Sequence, residues 1–356
     1  MPLPPRYSPT GETFDGGMSD VTVCNDTHLE RKVVVKYLKK GTDSRRLLDE
    51  LAALQSIRSK HVVQIYDVIK DEHNKIVAIV EEYLPGQDLT SEPVPTDANE
   101  FLRLAFAIAE GIADVHAHNR VHRDIKRQNM KFDAEDCLKL FDFGLSKDGA
   151  QAASTLGEIG TPGYMAPELF EATKGGRTNF TKAVDTYAFG ATLLAILLGR
   201  LPRDMRESPP IMPCSDADFT KLKIGIPKDL ATVFNACLSV KPDARPQMAD
   251  VARLIGAHLL KDKHRALLVS QKDTYTIDAA SPAVRLHVSQ QGTITIRYDG
   301  FAFKVAEVDG KVAINNSAAK LNDKLPDSCV IVLGGSELGG QRTIFTVDVS
   351  HPEVTL

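Results

Sequence analysis

Tryptophan is absent from the 356 residues, aromatic side chains make up only 6%, and neither sign of charge dominates, with 43 basic against 47 acidic side chains and a net charge of -4. Without a basic excess, no global field draws in nucleic acid or an anionic membrane surface, and neither is expected as a partner. The five cysteines, Cys24, Cys137, Cys214, Cys237 and Cys329, are scattered singly with no C-x-x-C pair. That excludes a disulfide framework and fits reduced thiols. No apolar run reaches the roughly 20 residues of a membrane-spanning helix; the most apolar stretch, Ala188 to Gly199, is about a dozen long and reads as a buried core helix. The start, MPLPPRYSPTGE, has prolines where a secretory signal carries an apolar segment, so the expected compartment is the cytoplasm. Internal repeats, low-complexity runs and long charge blocks are also missing.

What is present is the balance of a soluble globular chain, 43% apolar and 25% charged, at a length that suggests two domains. From Val21 to Val35 and from Lys75 to Glu81, β-branched runs (VTVC, VVVK, KIVAIVE) predict strands of a small antiparallel sheet. Between them Leu47, Leu48, Leu51 and Leu54 mark one face of an amphipathic helix over 43–57. After Pro93 and Pro95 the period becomes helical, with Phe101, Leu104, Ile108, Ile112 and Val115 on one face and further helices near 183–198, 228–239 and 246–260. A second change comes near Lys261 to His264. Beyond it TITIRY, VAIN, VIVL and TIFTVDV alternate between QQG, DG and GG turns, which predicts a separate all-β domain.

The chemistry is concentrated in VHRDIKRQNMKFD (121–133), LKLFDFG (138–144) and GTPGYMAPE (160–168), in that order and with Asp142 eighteen residues after Asp124. These segments resemble the H-R-D-x-x-x-x-N loop, the D-F-G and the A-P-E of Hanks-type serine/threonine protein kinases of the bacterial kind. The resemblance covers roughly residues 12–260. It implies an α+β, bilobal protein kinase fold over 10–260, with an N-lobe of about 10–84 and a C-lobe of about 85–260. A linker over 261–272 and a small all-β sandwich over 273–356 are expected to follow.

The resemblance also implies ATP and Mg2+ as cofactors and protein hydroxyls as acceptors. Phosphoryl transfer has a loose transition state, so position and countercharge matter most. Asp124 is implied as the group that orients the acceptor hydroxyl and takes its proton, with Asn129 and Asp142 as Mg2+ ligands. Lys36 corresponds to the phosphate-gripping strand lysine, Glu50 to its ion-pair partner, and Lys126 to a lysine that marks serine/threonine specificity. Asp185 and Arg245 correspond to structural groups, Arg245 as the partner of Glu168. Val21 and Val34 form the expected roof over adenine, Glu82 and Leu84 the hinge contacts, and Lys131 the floor, its aliphatic stem covering the base. Glu81 then holds the gatekeeper position.

At the nucleotide loop the sequence departs from the family. The three glycine positions fall at Phe14, Gly16 and Ser19, with Gly17 beside the survivor, so close backbone approach to the phosphates is weakened. An alignment shifted toward Gly11 breaks the spacing from Val21 to Lys36. In the activation segment Thr155 is the expected autophosphorylation site, with Ser154 as neighbour; Arg123 is a natural partner for such a phosphate. Thr161 is a third candidate hydroxyl, read more readily as positioning the catalytic loop.

The last strands, LPDSCVIVLGGSELGGQRTIFTVDVSHPEV, resemble a forkhead-associated domain, which implies phosphothreonine-containing partners. Arg285 and His287 match that family's phosphate-site arginine and histidine, while Val284 replaces its serine. A pseudokinase scaffold acting through this domain is the alternative function. A small-molecule kinase is disfavoured by GTPGYMAPE, which in the resembled family shapes a peptide-binding floor.

Overall fold

The β-branched runs do form a sheet. The computed structural model describes residues 3–15, 19–38, 51–52, 54–143, 147–148, 161–171 and 180–354, and the chain divides into two compact units, Met1–Ile255 and Gly256–Thr355. In the first, strands β1 (Tyr7–Asp15), β2 (Ser19–Asp26), β3 (Arg31–Leu38), β4 (Ile65–Lys70) and β5 (Ile76–Glu82) make one antiparallel sheet in the order β1-β2-β3-β5-β4. Alternation sends Val33 and Val35 to a fully buried face with Ala78 and Val80. It leaves Val34 and Lys36 on the other. That second face packs Ile79 against Leu51; Leu51 and Leu54 are buried and helical, and the rest of the expected leucine face lies outside the described residues.

The sheet begins before the expected boundary at residue 10. Arg6 forks onto both oxygens of buried Asp26 at 2.7 Å each, and the Tyr7 hydroxyl donates to Asp67 at 2.7 Å. A bidentate pair of this kind fixes direction as well as charge, so the segment from Arg6 onward belongs to the sheet.

Helix α1 (Ala98–Ala117) starts where Asp97 accepts from Glu100 N and Glu100 accepts from Thr96 N, a reciprocal cap. Its apolar period buries Phe101, Ile108, Ile112 and Val115 completely. Helix α2 (Lys182–Leu198) is buried along most of its length and ends at Gly199, whose φ of 73° supplies the left-handed cap. Helices α3 (Lys228–Cys237) and α4 (Met248–Leu259) follow. Edge-to-face contacts of Phe234 with Phe101, Phe189 and Phe219 knit α1, α2 and α3. Among the described residues, no helix is long and apolar enough to cross a membrane.

Between α1 and α2 run the short strands β6 (Arg120–Val121), β7 (Met130–Phe132), β8 (Leu138–Leu140) and β9 (Lys147–Asp148), paired β6 with β9 and β7 with β8. The segment after β5 lies along β7: Gly86 N and Leu89 N donate to Phe132 O and Met130 O. A Cβ at Gly86 would come within 2.9 Å of Phe132 O, so only glycine permits this approach.

In the second unit β10 (Ala266–Val269), β11 (Thr274–Ile277), β15 (Val312–Ile314), β16 (Ser317–Ala318), β17 (Ser328–Leu333) and β18 (Thr343–Val349) form one sheet ordered β11-β10-β18-β17-β15-β16. Strands β12 (Ala283–Val288), β13 (Gly292–Tyr298) and β14 (Phe303–Gly310) form another. Both sheets feed one core, with Leu286, Ile294 and Val305 meeting Leu268, Ile331 and Phe345. The stretch 261–272, expected as a linker, carries β10. That strand pairs with β11 and with β18, the last strand of the unit, so its register is set by partners outside the stretch.

Candidate active site

The loop after β6 owes its shape to a carboxylate from α2. Asp185, with no exposed surface, accepts His122 N and Arg123 N at 2.8 Å each and bonds His116 Nε2 at 3.0 Å. Burial alone would raise its pKa, but the His116 hydrogen bond, nearby histidines and backbone donors outweigh it and hold the carboxyl below its ordinary 3.8. These bonds secure Arg123 at φ 72°, a left-handed conformation that a non-glycine residue adopts only at a cost. The His122 ring lies 4.4 Å from Phe143, and burial pushes its pKa below 6.5.

Asp124 follows, and its carboxylate is filled with donors. Asn129 Nδ2 donates to Oδ2 and to the Asp124 carbonyl, both at 2.8 Å. Lys126 Nζ lies 2.7 Å from Oδ2. Thr161 Oγ1 donates to Oδ1 at 3.0 Å while accepting from Lys126 Nζ at 2.7 Å. One threonine thus closes a ring between the carboxylate and the ammonium.

Asp142 is placed next to Asn129 because Phe141 N donates to Asn129 O at 3.1 Å. Its own φ is 66°, and its Oδ1 accepts Lys36 Nζ at 3.1 Å. The Lys36 ammonium is the main reason the Asp142 carboxyl sits below its ordinary 3.8. Val21 lies opposite both Lys36 and Phe14 in the sheet, and Val34 opposite Glu81, so Val21, Val34 and Lys36 share one β-hairpin. The Lys131 ammonium lies 5.7 Å from the Phe14 ring centre and 5.8 Å from that of Phe141, within cation–π range. Leu84 and Glu81 are buried.

Lys36 of β3 is thereby brought together with Asp142, Asn129, Asp124 and Lys126. A family model for the protein kinase domain matches residues 11–254. The chain belongs to the protein kinase family. Among curated relatives it is 29% identical over 266 residues to the probable serine/threonine-protein kinase pknA2 of Bifidobacterium longum, covering 71% of this chain and 33% of the relative. It is 33% identical over 209 residues to the serine/threonine-protein kinase PrkC of Bacillus subtilis, covering 56% and 31%. Over 197 residues it is 32% identical to the maternal embryonic leucine zipper kinase of Danio rerio, covering 53% and 28%. The chain therefore spans about a third or less of each of these kinases.

Within this kinase domain Arg245 grips both oxygens of Glu168 at 2.7 Å and donates to the carbonyls of Ser239 and Ala183 at 2.8 Å. Gly16, Gly17, Glu50, Ser154 and Thr155 lie outside the described residues, and of Ser19 only the backbone is described. Gly11 lies within β1 at a φ of 91°.

Two residues of the domain escaped the sequence reading. Arg127 is buried and donates to the carbonyls of Leu89, Thr90, Ala195 and Gly199, joining the segment before α1 to the end of α2. Lys139 is 5% exposed in the middle of β8. In the second unit Arg285 lies in strand β12, its guanidinium 3.4 Å from Glu307 on β14, and His287 Nδ1 meets Thr293 Oγ1 at 2.8 Å. Both sit in a paired strand, where the resembled family carries its phosphate-binding arginine on a loop.

Proposed function

We propose that the chain is an ATP-dependent serine/threonine protein kinase, which phosphorylates its own activation segment and other cytoplasmic proteins. The observation that carries this reading is the Asp124 carboxylate, held from three sides by Asn129, Lys126 and Thr161 beside the Lys36–Asp142 pair. In it Asp124 orients the acceptor hydroxyl and takes its proton, while Lys126 stabilises charge growing on the transferred phosphoryl group. Lys36 meets the α- and β-phosphates. Val21, Val34 and the stem of Lys131 enclose the base, with Glu82 and Leu84 at its edge.

Asn129 and Asp142 suit Mg2+, since both offer oxygen to a hard cation. Asn129 spends its amide nitrogen on Asp124, which leaves its carbonyl oxygen for the metal. When bound, Mg2+ supplies countercharge to the β- and γ-phosphates.

The second unit, forkhead-associated-like in this reading, recruits targets or the phosphorylated kinase. For phosphothreonine to be bound there, Arg285 must exchange Glu307 for the phosphate. That exchange favours docking without a phosphate as the unit's resting mode.

The test is intact-mass and peptide mass spectrometry after incubation with Mg2+ and ATP, beside Asp124→Ala. Phosphate on Thr155 or Ser154 in the wild type alone supports a self-activating kinase; the variant should turn over roughly 10²- to 10⁴-fold more slowly. No incorporation, together with no nucleotide binding by calorimetry, moves the reading to a scaffold.

A further inference from the structure

Strand alternation places Lys139 on the opposite face of β8 from Leu138 and Leu140, where a lysine would ordinarily reach solvent. Its side chain is instead 6% exposed, with Nζ 3.0 Å from Glu82 Oε1 and 3.5 Å from Asp133 Oδ2. Each carboxylate is itself fixed. Glu82 is the last residue of β5; its other oxygen accepts Gln64 N at 3.1 Å, and its own N–H donates to Gln64 O at 2.8 Å. Asp133 closes the turn between β7 and β8, accepting Glu135 N at 3.0 Å and Cys137 N at 2.8 Å. The ammonium thus joins the end of β5 to the β7–β8 hairpin, which carries Lys131.

Burial by itself would lower the ammonium's pKa, but Glu82 and Asp133 more than offset it and hold it above the ordinary 10.5, so the charge persists. A buried cation serving two carboxylates contributes little net stability against an apolar replacement. Its value lies in geometry, and that geometry concerns the two elements meant to meet the base: edge at Glu82 to Leu84, floor at Lys131.

We propose that Lys139 is a positioning residue for recognition of the nucleotide base, clamping Glu82 so that the hinge segment and the β7 floor keep a fixed separation. The inference rests on the nucleotide-binding reading above. Without Lys139 the Glu82 and Asp133 carboxylates face one another with no shared cation, and their repulsion drives the hinge away from β7.

The test compares binding of MgATP with that of magnesium tripolyphosphate, which has the phosphates but no base, by titration calorimetry on the full chain. Lys139→Met should weaken MgATP by about tenfold, the scale of one hydrogen bond, and leave tripolyphosphate unchanged; Lys139→Arg, which keeps the cation, should restore ATP affinity. If the Met variant does not fold, Lys139→Gln, which keeps a polar side chain and drops the cation shared by Glu82 and Asp133, carries the same expectation. Unaltered ATP affinity in these variants overturns the clamp, as does an equal loss for ATP and tripolyphosphate. A wild-type chain that binds neither probe overturns the nucleotide reading itself, a result distinct from a wild type that binds both and variants that do not discriminate.

Discussion

Thr161 ties the two charges of the site together, because one hydroxyl donates to the Asp124 carboxylate and accepts from the Lys126 ammonium. Thr161→Val keeps the branched shape and removes both bonds. A hydrogen bond to a charged group contributes about 1.5 to 3 kcal/mol, and each 1.4 kcal/mol or so is tenfold in rate. Turnover should therefore fall roughly 10- to 100-fold, less than for loss of Asp124, since Asn129 and Lys126 still hold the carboxylate. Steady-state kinetics at varied MgATP should show the loss in kcat with KM for ATP little changed, and Thr161→Ser should recover most of it. A valine variant within twofold of wild type, or a serine variant as slow as valine, refutes the positioning role. The same geometry speaks against Thr161 as an activating phosphosite: a phosphate there would set nearly two negative charges against Asp124. Phosphate on Thr161 in the most active fraction, read by peptide mass spectrometry, would count against this account.

Acid should destabilise the first unit earlier than carboxylates alone require. Buried His122 and His61 have pKa values lowered by burial from 6.5, so the unfolded chain binds their protons more readily and the stability of the neutral rings, full above pH 6.5, is lost as pH falls through the depressed values. Thermal melts between pH 8 and 5 should show a falling midpoint and a shallower fall in His122→Asn; an identical slope in the variant contradicts the assignment. Arg245→Met should cost about 3 to 5 kcal/mol, the range for breaking a buried pair, because Glu168 and the Ser239 and Ala183 carbonyls lose their donor together. Circular-dichroism melting should then drop by roughly 6 to 20 °C at about 2 to 4 °C per kcal/mol, and a drop under 2 °C would mean the pair is replaceable.

Much of the fold was legible because its signals are local. VTVC and VVVK alternate within a few residues, and the Phe101 to Val115 period needs no distant information. Lys139 could not be read that way: LKLF marks it as solvent-facing, and only Glu82 and Asp133, supplied by other turns of the chain, make a buried position tolerable. Arg127 was obscured for the same reason, its four carbonyl acceptors being scattered from Leu89 to Gly199. Ala266–Val269 is short, sits between charged flanks and becomes a strand by pairing with Thr346 to Val349. At the candidate site the motifs named Lys36, Asp124, Asn129 and Asp142, which the fold brings together. They said nothing of the Phe14 ring facing Lys131, since a glycine pattern records what is missing at a position and is silent about what a replacement touches.

The hold of Asp185 on His122 N and Arg123 N also bears on substitution. The two segments are separated by more than sixty residues, and the backbone N–H groups they share with that carboxylate cannot be altered by any side-chain change in the loop. A substitution at Asp185 thus has no remedy at 122 or 123. The loop and the helix are therefore tied as one unit: without the aspartate, the N–H groups of 122 and 123 lose this shared acceptor even while every letter of H-R-D remains.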